Sequence, residues 1–306
     1  MNTIDVPPAT TIGWATTTTK GAPRISVVVP AYNEATIILR CLSALAGQRL
    51  KPLEIIVVDN MSTDATAELV RGFAATHPWS AIRLVTQDRE QGITPTRNAG
   101  FDAARGDVIA RIDADSIVPP EWTARMIQSF RRSGAAGVTG PVAFHDLPAP
   151  WLTGLVDRSV RRLTLMASGG HTFLFGSNMA ITREAWRAVC EGTCPDHEDV
   201  MHEDVDLALH LESAGFELRY DARLRARISA RRGTTDRADY LHYVGRLDTT
   251  YERHGVLGHG PRLPAHLMRA TYPLVSAATR ALRGTPVRLS DARPASAPAR
   301  EYDRAA

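Results

Sequence analysis

Cysteine is scarce in this chain of 306 residues: Cys41, Cys190 and Cys194 are the only three. An odd number with no paired framework excludes a disulfide-stapled fold and fits a reducing compartment, so a cytoplasmic chain is expected. Long hydrophobic runs are missing too. No stretch of about 18 apolar residues occurs, and the greasiest late segment, residues 267–282, is interrupted by Arg269, Pro273 and Arg280. No membrane-spanning helix is therefore expected. The first 24 residues lack an early basic cluster and an apolar run of the kind that directs export. Excess charge is nearly absent, with a formal net of +3 at pH 7. That is too little on a chain this long to indicate a nucleic-acid partner without a concentrated basic patch. No repeat of domain size is visible. What remains is an ordinary mixture, 44% hydrophobic and 23% charged, which excludes global disorder and favours one large α/β domain or a domain with appendages.

The ordered pattern begins near residue 24, after a Thr/Pro/Ala-rich start. The β-branched run Ile25, Ser26, Val27, Val28, Val29 reads as a buried strand closed by Pro30. Helix-like periodicity over 34–46 follows, then a second strand at 53–58 and a second helix at 64–75. A third strand is expected at 82–86, a helix at 95–104, a fourth strand at 108–112 and a helix from Pro119-Pro120 to about 132. Near-continuous apolar strands alternating with helices predict a mostly parallel sheet covered on both faces, with ligands beyond the carboxyl ends of the strands. After Gly140 the alternation stops, and 143–175 reads as an excursion with an apolar-basic segment around 151–165. A strand and helix at 179–181 and 183–189 are expected next. A helix over 204–213 stopped by Gly215 follows, then a short strand at 216–220. Seven Arg and two Asp crowd residues 219–237. The last 24 residues or so, rich in Ala, Pro and Arg, read as a disordered tail.

Polar residues suited to a nucleotide stand at the end of each early strand: Pro30-Ala31-Tyr32-Asn33-Glu34, then Asp59-Asn60, then Asp113-Ala114-Asp115. The first turn has none of the glycines a dehydrogenase needs for backbone approach to a pyrophosphate, and no P-loop is present, which argues against an ATPase. Asp113 and Asp115 flank one residue at a strand end, so both carboxylates can face one site and serve Mg2+ or Mn2+, ions that take oxygen ligands. By itself so short a string is equally a pair of caps.

The segments ISVVVPAYNE (25–34), IIVVDNMSTDAT (55–66), QGITPTRNAGFDAARGDVIARIDADS (91–116), GSNMAITREAW (176–186) and HEDVDLALHLESAGFEL (202–218) together resemble the family-2 inverting glycosyltransferases of the GT-A fold. The resemblance implies an α/β domain over 24–221, with a nucleotide-binding half (24–142) and an acceptor-side half (143–221). Residues 1–23 would be a disordered lead, 222–282 a basic, helical or irregular extension, and 283–306 the tail. It implies that Tyr32 and Asp59 contact the base or ribose, that Arg97 lies near the nucleotide, that Asp113 approaches the ribose or metal, and that Asp115 of the D-x-D motif ligates the metal. Pro30 and Glu34 join this donor set from the first strand end. The family's base comes from an acidic pair opening a helix beside the acceptor, here Glu203-Asp204, with Asp204 as base and Glu203 as acceptor contact or orienter. HEDV occurs twice, at 197–200 and 202–205. The second copy is chosen because Val205, Ala208, Leu209 and Leu211 continue an apolar helix face from it. Gly176, Ser177 and Asn178 stand where the family's acceptor-side loop begins, with His171 a further site candidate.

Other readings of these residues are bland. Asp59 is suited to cap the second helix, Asp204 to cap its own, Arg97 to a surface ion pair, Trp186 and Cys41 to the core. Cys190, Cys194, His197 and His202 carry zinc-ligand chemistry, although their spacing is too tight for a finger. The Arg-rich stretch suits a donor diphosphate, an anionic acceptor or anionic lipid. Ser229-Ala230-Arg231-Arg232-Gly233 departs from the Gln-x-x-Arg-Trp motif of processive members, so transfer of a single sugar is expected. The expected partners are a nucleotide-diphosphate sugar, UDP-linked first and GDP-mannose next, and a hydroxyl-bearing acceptor, with Mn2+ or Mg2+ as cofactor. The basic segment 262–283 is suited to an interfacial helix giving peripheral contact with the inner face of the membrane, although Pro273 should break it and a packed helix pair is the more ordinary outcome. A sugar-phosphate nucleotidyltransferase, lacking here its long glycine-rich loop, and a catalytically silent nucleotide-sugar-binding protein are the alternatives.

Overall fold

A computed structural model of the chain describes residues 23–147, 150–167, 173–256 and 262–283. His171, residues 1–22 of the lead and residues 284–306 of the tail lie outside them. Four parallel strands form first: β1 (Ile25–Ala31), β2 (Glu54–Asp59), β3 (Ile82–Thr86) and β4 (Val108–Arg111), with α1 (Ile38–Ala46), α2 (Thr66–Thr76) and α3 (Ile93–Ala103) between them. α4 (Trp122–Ser133) leads to two three-residue strands, β5 (Gly137–Thr139) and β6 (Val142–Phe144), and then to α5 (Pro150–Ala167). β7 (Met179–Thr182), α6 (Arg183–Val189), α7 (Glu203–Ser213), β8 (Leu218–Tyr220), β9 (Ala226–Ile228), α8 (Arg237–Arg253) and α9 (Leu263–Arg283) complete the described chain.

The seven-stranded sheet runs β3-β2-β1-β4-β7-β5-β8. β7 lies antiparallel to β4 and β5, and the other pairs are parallel. The chain leaves β1 on one side for β2 and β3 and returns on the other for β4. The order reverses between β1 and β4, so the crevice for a ligand opens at their carboxyl ends. Alternate residues of each strand feed two cores. Val27 and Val29 pack with Ile38, Leu42, Trp122 and Phe130 on one face, while Val28, Ile56 and Val58 pack with Phe101, Trp186 and Leu207 on the other. Burial on both faces is why these strands read as continuous apolar runs.

Three features differ from the sequence expectation. α1 starts at Ile38 rather than at residue 34 because the preceding N–H groups go sideways. Asn33, in the left-handed region at φ 53°, donates to Ser62 Oγ, Glu34 to Thr66 Oγ1 and Ala35 to Asp64 Oδ2. These bonds stitch the β1–α1 turn to the β2–α2 turn. The excursion after Gly140 contains β6, which pairs with β9 in a second, two-stranded sheet, and the long helix α5. An isolated bridge from Ile117 to Arg227 ties that small sheet to the loop after β4. α9 continues through Pro273 as one helix. Pro273 is exposed, so water can take the carbonyl its missing N–H leaves free. Helix α9 packs along α8, against the turn at 230–234, and on α5. Among the described residues no helix is long and apolar enough to cross a membrane.

Candidate active site

Strand ends deliver the donor-side residues. Pro30 lies within β1, opposite Val58. Two residues on, Tyr32 is half-buried, with its hydroxyl enclosed and without a hydrogen-bond partner. Asp59 ends β2 opposite Ala31, and its Oδ1 is likewise enclosed and unpartnered. The first N–H of α2, that of Thr66, is met by another residue, Asp64, whose Oδ1 accepts it at 2.9 Å. Enclosed polar atoms without partners cost free energy, so both side chains are available to a polar ligand. Asn60, beside Asp59, holds the 87–92 loop: its Nδ2 donates to the carbonyls of Gln87 and Glu90, and its Oδ1 accepts the Gly92 N–H.

Asp113 and Asp115 follow β4 in a tight turn. Asp113 accepts from Arg111 Nη2 at 3.1 Å. Asp115 is 6% exposed, with Oδ2 3.2 Å from Arg231 Nε, and both Nη groups of Arg231 donate to Glu34 at 2.8 and 2.5 Å. Burial, with the charges of Asp113 and Glu34 acting against the pull of Arg231, pushes the Asp115 carboxyl up to about 7. Arg231 reaches the crevice because Asp146 pins its turn, accepting the Ser229 hydroxyl at 2.6 Å and the Ala230 N–H at 2.8 Å. Asp113 and Asp115 beyond β4 and Glu34 beyond β1 bring three carboxylates together, Glu34 and Asp115 both buried, and they are a donor set of hard oxygens that fits Mg2+ or Mn2+.

On the other side of β4, α7 begins with Glu203 and Asp204. Arg111, 3% exposed on β4, spans the gap by donating to Glu203 Oε1 as well as to Asp113. Burial opposes the charge on Glu203, yet Arg111 and then Arg97 hold its carboxyl below the ordinary range. Asp204 has the contrary environment: burial and the Glu203 charge push its carboxyl up to about 6. Its Oδ2 accepts the Gly176 N–H at 2.7 Å and its Oδ1 the Val205 N–H at 2.9 Å. Gly176 must be glycine, because a Cβ there would lie 1.7 Å from Arg111 Nη1.

Several residues sit elsewhere than expected. Arg97 is wholly buried and supports the start of α7, its Nη1 donating to the Glu203 carbonyl at 2.7 Å and its guanidinium 5.7 Å from the Trp186 ring. It is not a surface ion pair, since the second turn of α3 faces inward. Asn178 also turns inward. Its Oδ1 accepts the Trp122 indole N–H, and its Nδ2 donates to Pro141 and Leu224, so it ties loops together and offers nothing to an acceptor. Ser177, next to it, is half-buried. Trp186 is core, edge-on to Phe101, as is Cys41. The second HEDV copy opens the helix. In the first, Glu198 is exposed and Asp199 pairs with Arg246. Of Cys190, Cys194, His197 and His202, the four residues with zinc-ligand chemistry, only Cys194 joins a cluster of three or more ligand-type groups among the described residues. His197 pairs with Glu90, His202 packs edge-on against Tyr243, and Cys190 Sγ lies on the Arg187 carbonyl. Sequence reasoning missed Arg111, although a charged residue inside an apolar strand demands a buried partner. It also left Arg231 undifferentiated within its arginine-rich stretch.

The model of glycosyl transferase family 2 matches residues 26–188. "Glycosyltransferase AglE" of Haloferax volcanii is 33% identical over 128 residues, covering 41% of this chain and 41% of that protein. "Succinoglycan biosynthesis protein ExoO" of Rhizobium meliloti is 42% identical over 113 residues, covering 37% of this chain and 31% of its own. The match thus spans well under half the length of these relatives. Among solved structures, the mannosyltransferase PcManGT of Pyrobaculum calidifontis, in complex with GDP-Man and Mn2+, superposes with a TM-score of 0.61 at 22% identity over 87% of this chain and 77% of that one. Glucosyl-3-phosphoglycerate synthase of Mycobacterium tuberculosis, with Mn2+, UDP-Glc and phosphoglyceric acid, does so with a TM-score of 0.51 at 20% identity, over 77% and 81%. The matched region runs from β1 to α6 and takes in both the strand-end crevice and the D-x-D turn, and the chain belongs to glycosyl transferase family 2, with the GT-A fold.

Proposed function

We propose that the protein transfers a single sugar from a nucleotide-diphosphate sugar to an acceptor hydroxyl, with inversion at the sugar carbon. The observation that carries this reading is Arg111, which joins Asp113 of the donor-side turn to Glu203. A single side chain thereby couples the D-x-D turn to the acidic pair that opens α7. Within that pair the environments differ, Glu203 being held ionised while the Asp204 carboxyl is raised towards neutrality. Asp204 is the base that takes the acceptor's proton, Glu203 its orienter, and Gly176 N–H fixes the direction of the Asp204 carboxylate. Tyr32 and Asp59 supply polar contacts to the base or ribose. A carboxylate at Asp59 can accept from uracil or guanine, so a UDP-sugar is the first choice and GDP-mannose the next, in keeping with the two neighbours held with UDP-Glc and GDP-Man. Asp113 and Asp115 would hold Mn2+ or Mg2+, which supplies charge compensation at the diphosphate when bound. Arg231, already beside Asp115, adds a fixed positive charge there.

The reading also extends to where the protein works. A cytoplasmic location suits the free cysteines, and the inner membrane surface is the proposed contact of α5 and α9. On α5, Trp151, Leu155, Val156, Leu163 and Met166 are exposed, with Arg162 exposed among them. Neighbouring α9 carries three Arg and no acidic residue and exposes Leu274 and Val275. An apolar face interspersed with Arg matches an anionic lipid surface.

The test pairs binding with turnover. Thermal shifts with UDP, GDP, CDP, dTDP and ADP, each with and without Mn2+, should single out one nucleotide that stabilises the protein only with metal. Its sugar derivatives then provide donors for an acceptor screen. Asp204→Asn should keep that shift while transfer falls by about 10²–10⁴-fold, and Asp115→Asn should lose the Mn2+ dependence of the shift. Full transfer by Asp204→Asn, or the same loss from Glu198→Gln or Asp199→Asn instead, overturns the assignment of the base.

A further inference from the structure

Cys194 faces partners other than Cys190, His197 and His202. Asp206 and His210 lie one turn apart on one face of α7, and His254 caps the C-terminal end of α8. The ligand-type atoms of Cys194, Asp206, His210 and His254 all lie within 4.8 Å of one another. Cys194 Sγ is 3.6 Å from His210 Nε2 and 3.8 Å from His254 Nε2. Asp206 Oδ1 is 3.4 Å from the former nitrogen and 2.8 Å from the latter. Bonds of about 2.3 Å to sulfur and about 2.0 Å to nitrogen make the S–N edge of a tetrahedral zinc site about 3.6 Å long. The two sulfur–nitrogen separations are therefore those of ligands around a common centre, while the 2.8 Å contact of Asp206 with His254 is a hydrogen bond that an ion would replace, the pair opening by a few tenths of an ångström, to about 3.3 Å.

The supports are rigid. Asp206 is 1% exposed, and its second oxygen accepts the Cys194 N–H at 3.3 Å, which turns Oδ1 towards the two imidazoles. Asp196 fixes the loop beyond Cys194 by accepting the N–H groups of Val200 and Met201. Arg253 donates to the Pro195 carbonyl, holding the same loop to the end of α8. Cys194, His210 and His254 remain partly accessible, which leaves an ion a way in. A thiolate with two imidazoles selects zinc over the hard ions suited to the D-x-D turn, and four protein ligands close the coordination shell, as in structural sites.

We infer that Cys194, Asp206, His210 and His254 bind a structural Zn2+ that clamps the α6–α7 loop and the end of α8 onto α7. None of the four takes part in the proposed transfer, so this site stands independently of that reading. Binding replaces the Cys194 Sγ proton, released to solvent, and engages both histidines as neutral Nδ1–H tautomers through Nε2. The clamp holds α7 a short way from Asp204.

The test is metal content. The full chain, expressed with zinc, purified under reducing conditions and dialysed against metal-free buffer, should retain about one zinc per chain, as a closed four-ligand site does. Cys194→Ser and His254→Ala should fall below about a tenth of that, while Cys190→Ser and Asp115→Asn keep it. Where a variant does not fold, Co2+ loaded into the unmodified protein should give a thiolate-to-cobalt charge-transfer band and the intense d–d bands of tetrahedral coordination, both abolished by added Zn2+. An unmodified protein that binds no zinc after reconstitution, equal zinc in Cys194→Ser and Cys190→Ser, or an octahedral cobalt spectrum without thiolate character overturns the site.

Discussion

Arg111 is a charged side chain at the end of a buried strand, flanked by Ala110 and Ile112, both at zero exposure. It is tolerable only because two carboxylates meet it, Asp113 at 3.1 Å and Glu203. The contact with Gly176 shows how little room its guanidinium has. Removing one partner of such a pair strands the other charge, whereas replacing both removes the desolvation cost along with the attraction. Arg111→Met should therefore lose about 3–5 kcal/mol of folding stability, Glu203→Gln a comparable part, and the double variant should lie well above the sum of the two. Urea denaturation midpoints of the four proteins check this. Strictly additive losses would mean that the two side chains do not depend on each other, and that the link between the donor turn and α7 is made elsewhere.

At the scale of elements, the amino ends of the strands are fastened by one residue, Glu54, at the end of the sheet away from the crevice. It accepts from Ser26 Oγ on β1, from the Arg105 N–H before β4, and from Arg83 on β3 at 2.8–2.9 Å. Burial works against its charge, but these donors prevail and hold the carboxyl below its ordinary value of 4.5. A carboxyl depressed in the folded state stabilises the fold above its unfolded pKa and ceases to do so as the pH falls through the folded value. The stability difference between the unmodified protein and Glu54→Gln should be about 1–3 kcal/mol at pH 7 and should shrink as the pH is lowered below about 4.5, the ordinary value. Titrations common to both proteins cancel in that difference, and a gap that stays constant to pH 3 would refute the latch. Elements also differ in how far the sequence reveals them. β1 to β4 and their helices repeat an apolar rhythm long enough to read, and the polar strand ends follow from it. β5, β6 and β9 have three residues each, too few for any period, and they form only because neighbouring strands and the Ile117 bridge complete their hydrogen bonding. The path that brings Arg231 beside Asp115 runs through that small sheet, and was illegible for the same reason. That Arg97 is buried against the start of α7 was illegible too, because one arginine in a helical pattern does not say which neighbour its guanidinium meets.

For the whole molecule, the exposed apolar face of α5 has a physical consequence of its own. Trp151 is 73% exposed, Met166 75% and Leu274 76%, an arrangement that gains by entering the headgroup region of a bilayer. Arg161 does not contribute to this face, since it pairs with Asp157 and lies 3.4 Å over the Phe175 ring. The charge available to lipid would come instead from the exposed Arg162 and Arg280, since Arg269 of α9 pairs with Asp248. Each basic residue held near an anionic surface is worth about 1 kcal/mol, and the attraction fades within a Debye length. Sedimentation with vesicles should accordingly retain the protein on phosphatidylserine-containing membranes at low salt, with little retained on phosphatidylcholine alone. Raising the salt from about 50 to 500 mM should release part of it, because the Debye length contracts while apolar insertion persists. The variant Trp151→Ser with Met166→Ser should lose the salt-resistant part with its thermal midpoint unchanged, since both side chains are mostly in water in the folded protein. Equal binding to neutral and anionic vesicles would remove the arginines from the explanation. Binding that survives the double substitution would remove α5, leaving the face without a lipid role.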